Sequence, residues 1–159
     1  MLPDPISLKR LARLHPDIRE KATDIAFDIW AAGIGFRVTY TLRSFEEQNA
    51  LYAIGRTSPG KIVTNAKGGR SYHNYGLALD FCLLKPNGKA SWDIKADFNK
   101  DTEADWMQIV NAYKRNGWEW GGDWVKFKDY PHLQYTFGHP VGNLMVRSSN
   151  GIIPYPSLA

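Results

Sequence analysis

The chain is predicted to fold as an α+β domain, a small antiparallel sheet flanked by helices. Two segments with apolar residues at helical spacing open the sequence, and four short runs, at 36–41, 77–84, 118–120 and 132–136, read as strands. Further helical segments fall between those runs. At 159 residues the chain suits one domain, since compact domains run to roughly 100–200 residues.

In order, Ser7 is expected to cap a short helix through Leu14 with Leu8, Leu11 and Ala12 on one face. Pro16 suits the first position of a second helix, which carries Ile18, Ala22, Ile25 and Ile29 inward and stops at Gly33. His15 beside that start reads as a cap or surface group. Residues 36–41 alternate as a strand. Ser44-Phe45-Glu46-Glu47 is a capping box opening a helix that ends near Gly55. Arg43 then stands where strand hands over to helix, at the end of the sheet.

From Arg56 to Tyr72 no period appears, and a connection of that length is usually functional or mobile. Residues 77–84 are the most strand-like run, with Leu77, Leu79, Phe81 and Leu83 on one face and Ala78, Asp80, Cys82 and Leu84 on the other. An ionised Asp80 in so apolar a strand needs a cation, a metal or strong hydrogen bonds. Arg43 and Arg37 are candidate partners, and a metal is the alternative. Residues 85–100 read as a polar loop, after which Asp101 or Thr102 caps a helix with Trp106, Ile109, Val110 and Tyr113 inward. The strand after Pro131 sets His132, Gln134 and Thr136 on one face. The tail, 138–159, reads as irregular.

Composition narrows the function. The net charge of +4 fits attraction to an anionic polymer, such as nucleic acid or bacterial wall material. No Lys/Arg run of five or more occurs, so a nucleic-acid partner is not expected. No apolar run approaches the ~20 residues that cross a bilayer, so no membrane insertion is expected. The N-terminus lacks the basic and apolar regions of a secretory signal, which predicts synthesis in the cytoplasm unless another route exports the chain. The single Cys82 precludes an internal disulfide and reads as a buried, inert thiol.

The chemistry gathers at Ser71 to Asp80 and at Asp129-Tyr130-Pro131-His132. Two imidazoles and two carboxylates, spaced His-x6-Asp and Asp-x2-His, are the inventory of a catalytic zinc site. Three ligands would hold the metal and leave a fourth position for water, with the remaining acid as general base. Asp129 can reach the metal only where the chain bends at Tyr130-Pro131. Glu119 and Asp123 are rival acids near His132.

Three blocks extend the pattern: Thr41 to Thr57, with Leu42-Arg43-Ser44-Phe45-Glu46-Glu47-Gln48; Ser71 to Asp80; and Gly117-Trp118-Glu119-Trp120-Gly121-Gly122-Asp123-Trp124 through His132. In these the chain closely resembles the zinc peptidases that join bacterial D-Ala-D-Ala carboxypeptidases with phage and bacterial L-alanyl-D-glutamate endopeptidases, relatives in fold of the hedgehog signalling domain. The likeness spans about residues 34–136, and Trp-Gly-Gly-Asp-Trp points to the L-alanyl-D-glutamate branch.

The resemblance implies Zn2+ held by His73, Asp80 and His132, with Asp129 activating the metal-bound water. It implies that Arg43 steadies the scissile carbonyl oxygen and that Ser71 and Gln48 lie near the substrate. The implied partner is a peptidoglycan stem peptide, cut at L-Ala–D-Glu by a monomeric endolysin or wall hydrolase acting outside the cytoplasm after release. Lys61, Lys67 and Arg70 could hold the peptide's carboxylates, or simply belong to a solvated loop. Trp118, Trp120 and Trp124 read as core and cleft wall. The alternatives are a D,D-carboxypeptidase and a zinc-stabilised binding domain without hydrolysis.

Overall fold

The computed structural model describes residues 2–148, 155, 156 and 158. Among them five helices surround a five-stranded antiparallel sheet, the predicted class. Helix α1 (Pro5–Leu11) and helix α2 (Pro16–Ala31) come first. Strand β1 (Phe36–Tyr40), helix α3 (Phe45–Ala53) and strand β2 (Ala78–Leu84) follow. Then come β3 (Ala90–Ser91), α4 (Asp105–Arg115), β4 (Glu119–Trp120), β5 (His132–Gln134) and α5 (Val141–Ser148).

Strand β2 is the axis of the sheet, whose order is β1-β2-β5-β4 with β3 also on β2. Its alternation sorts the two faces as the sequence predicts. Leu77, Leu79, Phe81 and Leu83 are fully buried in the core, each worth about 1.5–3 kcal/mol of burial. Phe81 packs on Trp106 of α4 at 4.5 Å between ring centroids, and Trp30 of α2 stacks on Phe36 at 5.1 Å. Tyr113 of α4 donates to the Ala22 carbonyl at 3.1 Å, tying α4 to α2. On the other face Cys82 is a free, buried cysteine whose thiol burial pushes up, and Asp80 is left to face the cleft. No helix among the described residues is long and apolar enough to cross a membrane.

Several local expectations shift. Asp4, not Ser7, caps α1: its carboxylate accepts the Ser7 amide at 2.9 Å and the Ser7 hydroxyl at 2.7 Å. The helix ends at Leu11 rather than Leu14. Helix α4 begins after Ala104 without a side-chain cap, because the Asp101 carboxylate instead accepts from Gln108 and the Glu103 amide. The polar loop after β2 contains β3, a two-residue strand that pairs back on Leu83 and Leu84. The tail contains helix α5, which buries Leu144. Residues 149–154, 157 and 159 of that tail lie outside the described residues.

Candidate metal centre and catalytic cleft

Sheet register brings the first two donors together. Asp80 and His132 are direct partners across β2 and β5, where antiparallel side chains on one face stand about 5 Å apart. His73 arrives from a 3-10 turn, Tyr72–Tyr75, just before β2. That turn is clamped by Asn74, whose side-chain oxygen accepts the Gly69 and Ser71 amides while its nitrogen donates to the Arg43 and Ser44 carbonyls. The Arg43 amide donates to the His73 carbonyl at 2.9 Å. Arg43 and His73 are therefore fixed to each other through their backbones.

Three donor atoms converge. His73 Nε2 lies 3.1 Å from Asp80 Oδ1 and 3.2 Å from His132 Nδ1, and the last two are 3.2 Å apart. A tetrahedral metal with bonds of about 2.0–2.1 Å needs donors about 3.3 Å apart, so the triangle has the right size. Its chemistry also fits. The other nitrogen of His73, Nδ1, faces the Thr41 carbonyl at 2.7 Å, and that of His132, Nε2, faces Gln134 Oε1 at 3.0 Å. Carbonyl oxygens only accept, so the ring hydrogens point outward and lone pairs point inward. Two imidazole lone pairs and a carboxylate then face one another, an arrangement that calls for a cation.

Burial alone would raise the Asp80 carboxyl; without a metal, protons on the imidazoles, His73 foremost, supply the positive charge and hold it well below the usual carboxylate range. Arg43 Nη2 stands 3.7 Å from Asp80 Oδ2, whereas Arg37 is taken by Asp4 at 2.8 Å. Of the two arginines offered as partners for Asp80, only Arg43 is at the site.

The triad floors a cavity of about 750 Å³ whose wall includes Arg43, Ser71, Trp92, Trp124 and Asp129. The bend that Asp129 required is present: its carbonyl accepts the His132 amide at 3.2 Å, closing a turn through Tyr130-Pro131. Gly121 and Gly122 make that turn possible. A Cβ on Gly121 would collide with the Asp129 carbonyl, and one on Gly122 with the Trp120 indole. The indole in turn donates to the Tyr130 carbonyl at 2.7 Å. Asp129 is half-buried; burial first, then the Asp80 charge, push its carboxyl above the ordinary value.

Of the rival acids, Asp123 pairs with Lys114 at 2.5 Å, and Glu119 accepts from Gln134 and Thr136 at 2.9 and 3.1 Å. Neither belongs to the cleft wall, which contains Asp129. Gln48, expected beside the substrate, is fully buried beneath Arg43 instead of on the wall. Trp118 and Trp120 are core, while Trp124 lines the cleft with its ring 5.2 Å from that of His132. His15 is a buried cap that accepts the Asp17 amide. Trp92, which follows β3, was not legible as a wall residue because the loop carrying it has no period.

A cluster of two histidines and an aspartate on a sheet, with a separate acid and an arginine over one cleft, defines a metal-dependent hydrolase. Comparison with known proteins gives the family. A family model described as D-alanyl-D-alanine carboxypeptidase matches residues 64–135. The chain is 49% identical over 121 residues to the peptidoglycan L-alanyl-D-glutamate endopeptidase CwlK of Bacillus subtilis (strain 168), across 76% of this chain and 72% of that protein. It is 34% identical over 105 residues to the L-alanyl-D-glutamate peptidase of Listeria phage A118, across 66% of this chain and 32% of the phage protein.

Among solved structures, the Serratia marcescens L-Ala D-Glu endopeptidase ChiX superposes with a TM-score of 0.59 at 28% identity, covering 84% of this chain and 88% of that one. The LD-carboxypeptidase LdcB shares the fold at a TM-score of 0.56 and 18% identity, covering 84% and 64%. The chain belongs to the metallopeptidase family that joins D-alanyl-D-alanine carboxypeptidases with L-alanyl-D-glutamate endopeptidases.

Proposed function

We propose that the chain is a zinc endopeptidase that hydrolyses the L-Ala–D-Glu bond of peptidoglycan stem peptides during wall degradation or lysis. The observation that carries the reading is the inward-facing lone-pair triangle of His73, Asp80 and His132, set in one cleft with Asp129 and Arg43. The whole chain, 1–159, would act as one monomeric domain, reaching the wall after release from the cell. The substrate bond is supported by the L-alanyl-D-glutamate relatives.

In this reading His73, Asp80 and His132 hold zinc, which when bound acidifies a water and polarises the scissile carbonyl. Asp129 takes the proton of the attacking water and delivers it to the departing amine; its raised carboxyl suits a group that must hold a proton in passing. Arg43, fixed beside the triad, donates to the carbonyl oxygen as negative charge gathers there. Ser71 on the cleft wall would hydrogen-bond the substrate backbone. Arg70 and Lys126 on the same wall would attract the stem peptide's carboxylates. Gln48 would serve the substrate only through Arg43.

Purified protein should carry about one zinc per chain, and a chelator should abolish release of peptide from walls. Mass spectrometry of digested muropeptides should reveal new L-Ala carboxyl ends. Release of terminal D-Ala without such ends would assign the chain to carboxypeptidase chemistry instead, and zinc binding without any cleavage would make it a binding domain.

A further inference from the structure

We propose that Glu119 and Gln134 form a relay that fixes the tautomer of His132, so that a carboxylate off the cleft wall sets the strength of the metal centre. The inference rests on His132 being a metal ligand, as argued above. It concerns Gln134, which lines the cleft beside His132, and Glu119, which stands outside it, and the family likeness gives neither of them this role.

The relay follows from sheet geometry. His132 and Gln134 are two residues apart on β5 and so share a face. Glu119 is the direct partner of Gln134 across β4 and β5. The contacts run in a line: His132 Nε2 to Gln134 Oε1 at 3.0 Å, Gln134 Nε2 to Glu119 Oε2 at 2.9 Å, and Thr136 Oγ1 to Glu119 Oε1 at 3.1 Å. His132 and Gln134 are buried.

A glutamine amide by itself does not select a tautomer, since it can present either its oxygen or its nitrogen to a ring. Glu119 removes that freedom. A carboxylate only accepts, so the amide nitrogen must face Glu119 and the amide oxygen must face His132. An oxygen facing the ring requires the hydrogen on Nε2, which leaves the Nδ1 lone pair directed at Asp80 and His73. Without Glu119 the amide can flip, place its NH2 against Nε2, and drive the hydrogen to Nδ1, where it blocks the ligand position. Glu119 is thus a positioning residue that acts on the metal through two side chains. Partners behind metal-binding histidines typically change affinity by about 10–100-fold.

The discriminating variant is Glu119→Gln, which keeps size and exposure but can present an NH2 group to Gln134. The first readout uses metal-free protein labelled with 15N-histidine, at a pH where His132 is neutral. The Asp80 carboxylate, 3.2 Å from Nδ1, competes for the hydrogen, so wild type should show more of the Nε2–H tautomer than Glu119→Gln. The second is zinc affinity by chelator competition, expected to weaken about 10-fold or more in Glu119→Gln and in Gln134→Leu, with melting temperature monitored to confirm folding. The swap Glu119→Gln with Gln134→Glu restores an acceptor facing Nε2 and should recover most of the affinity lost in Gln134→Leu.

Wild-type affinity and an unchanged His132 tautomer in a folded Glu119→Gln variant would overturn the relay while leaving the metal centre intact. A swap no tighter than Gln134→Leu would also count against it. If zinc leaves the His132 ring signals of wild type unmoved, the metal-centre reading itself fails and the relay with it.

Discussion

Gln48 lies beneath Arg43 and accepts a hydrogen bond from Arg43 Nη1 at 2.8 Å, while its own amide nitrogen donates to the Ala66 carbonyl at 2.8 Å. The second bond fixes which end of the amide meets the guanidinium. Helix α3 thereby holds Arg43 against the cleft, with the Tyr40 ring 4.5 Å from its other side. Gln48→Leu should leave zinc content unchanged and lower kcat/KM about 10-fold, because Arg43 is released from its position without being removed. Arg43→Ala should lose about 10²–10³-fold. A further loss on adding Gln48→Leu to Arg43→Ala would mean that Gln48 has a role of its own in catalysis.

Gly121 links the Trp-Gly-Gly-Asp-Trp segment to Asp129. The Asp129 amide donates to the Gly121 carbonyl at 3.1 Å, and the glycine's missing Cβ is what admits the Asp129 backbone. Gly121→Ala should push Asp129 outward and cost about 10²-fold in rate, the usual consequence of a displacement near 1 Å. Zinc should still bind, since His132 is also held by its pairing with Asp80. Full activity in Gly121→Ala would show that the loop can absorb the extra carbon.

Asp129 and His73 separate hydrolysis from metal binding. Asp129 is not one of the three converging donors, so Asp129→Ala should retain zinc while losing about 10²–10⁴-fold in rate, the range for a general base. His73→Ala removes a donor and should lose both. Paired measurements of zinc stoichiometry and muropeptide cleavage check this, and undiminished cleavage by Asp129→Ala would move the base elsewhere.

Much of this architecture was legible because it rests on local rules. Strict alternation identified the two faces of β2, and with them the orientation of Asp80. The Ser44 capping box is present with both of its hydrogen bonds. The signal for Gln134 was also there, two residues after His132 on the same strand face, but its significance depends on Glu119 lying opposite, which is a matter of register. Pairing of that kind is set by long-range contacts that no local pattern encodes. The same reason hid β3, whose two residues are a strand only because Leu83 and Leu84 bind them. It hid the buried role of Gln48 as well, since a polar side chain on α3 looks solvent-facing until the 64–66 backbone closes over it.

Acid stability should depend on Asp4, away from the metal centre. Its carboxylate caps α1 through Ser7 and binds Arg37 of β1 through Nε at 3.1 Å and Nη2 at 2.8 Å, while the Ser7 hydroxyl accepts the Val38 amide at 2.8 Å. Burial alone would raise the Asp4 carboxyl, but the bonds from Arg37 and Ser7 outweigh it and lower the folded-state value. A group depressed in the folded state adds stability above its unfolded pKa of about 3.9, and that stability disappears as pH falls through the folded value. Asp4→Asn should therefore cost about 1–2 kcal/mol at pH 7, visible as a drop of several degrees in Tm. The gap between variant and wild type should narrow from about pH 5 downward and largely close once Asp4 is protonated in both states of wild type. Thermal melts of the two proteins from pH 7 to pH 2 would measure it. A gap independent of pH would show that the cap acts through shape and neutral hydrogen bonds rather than through its charge.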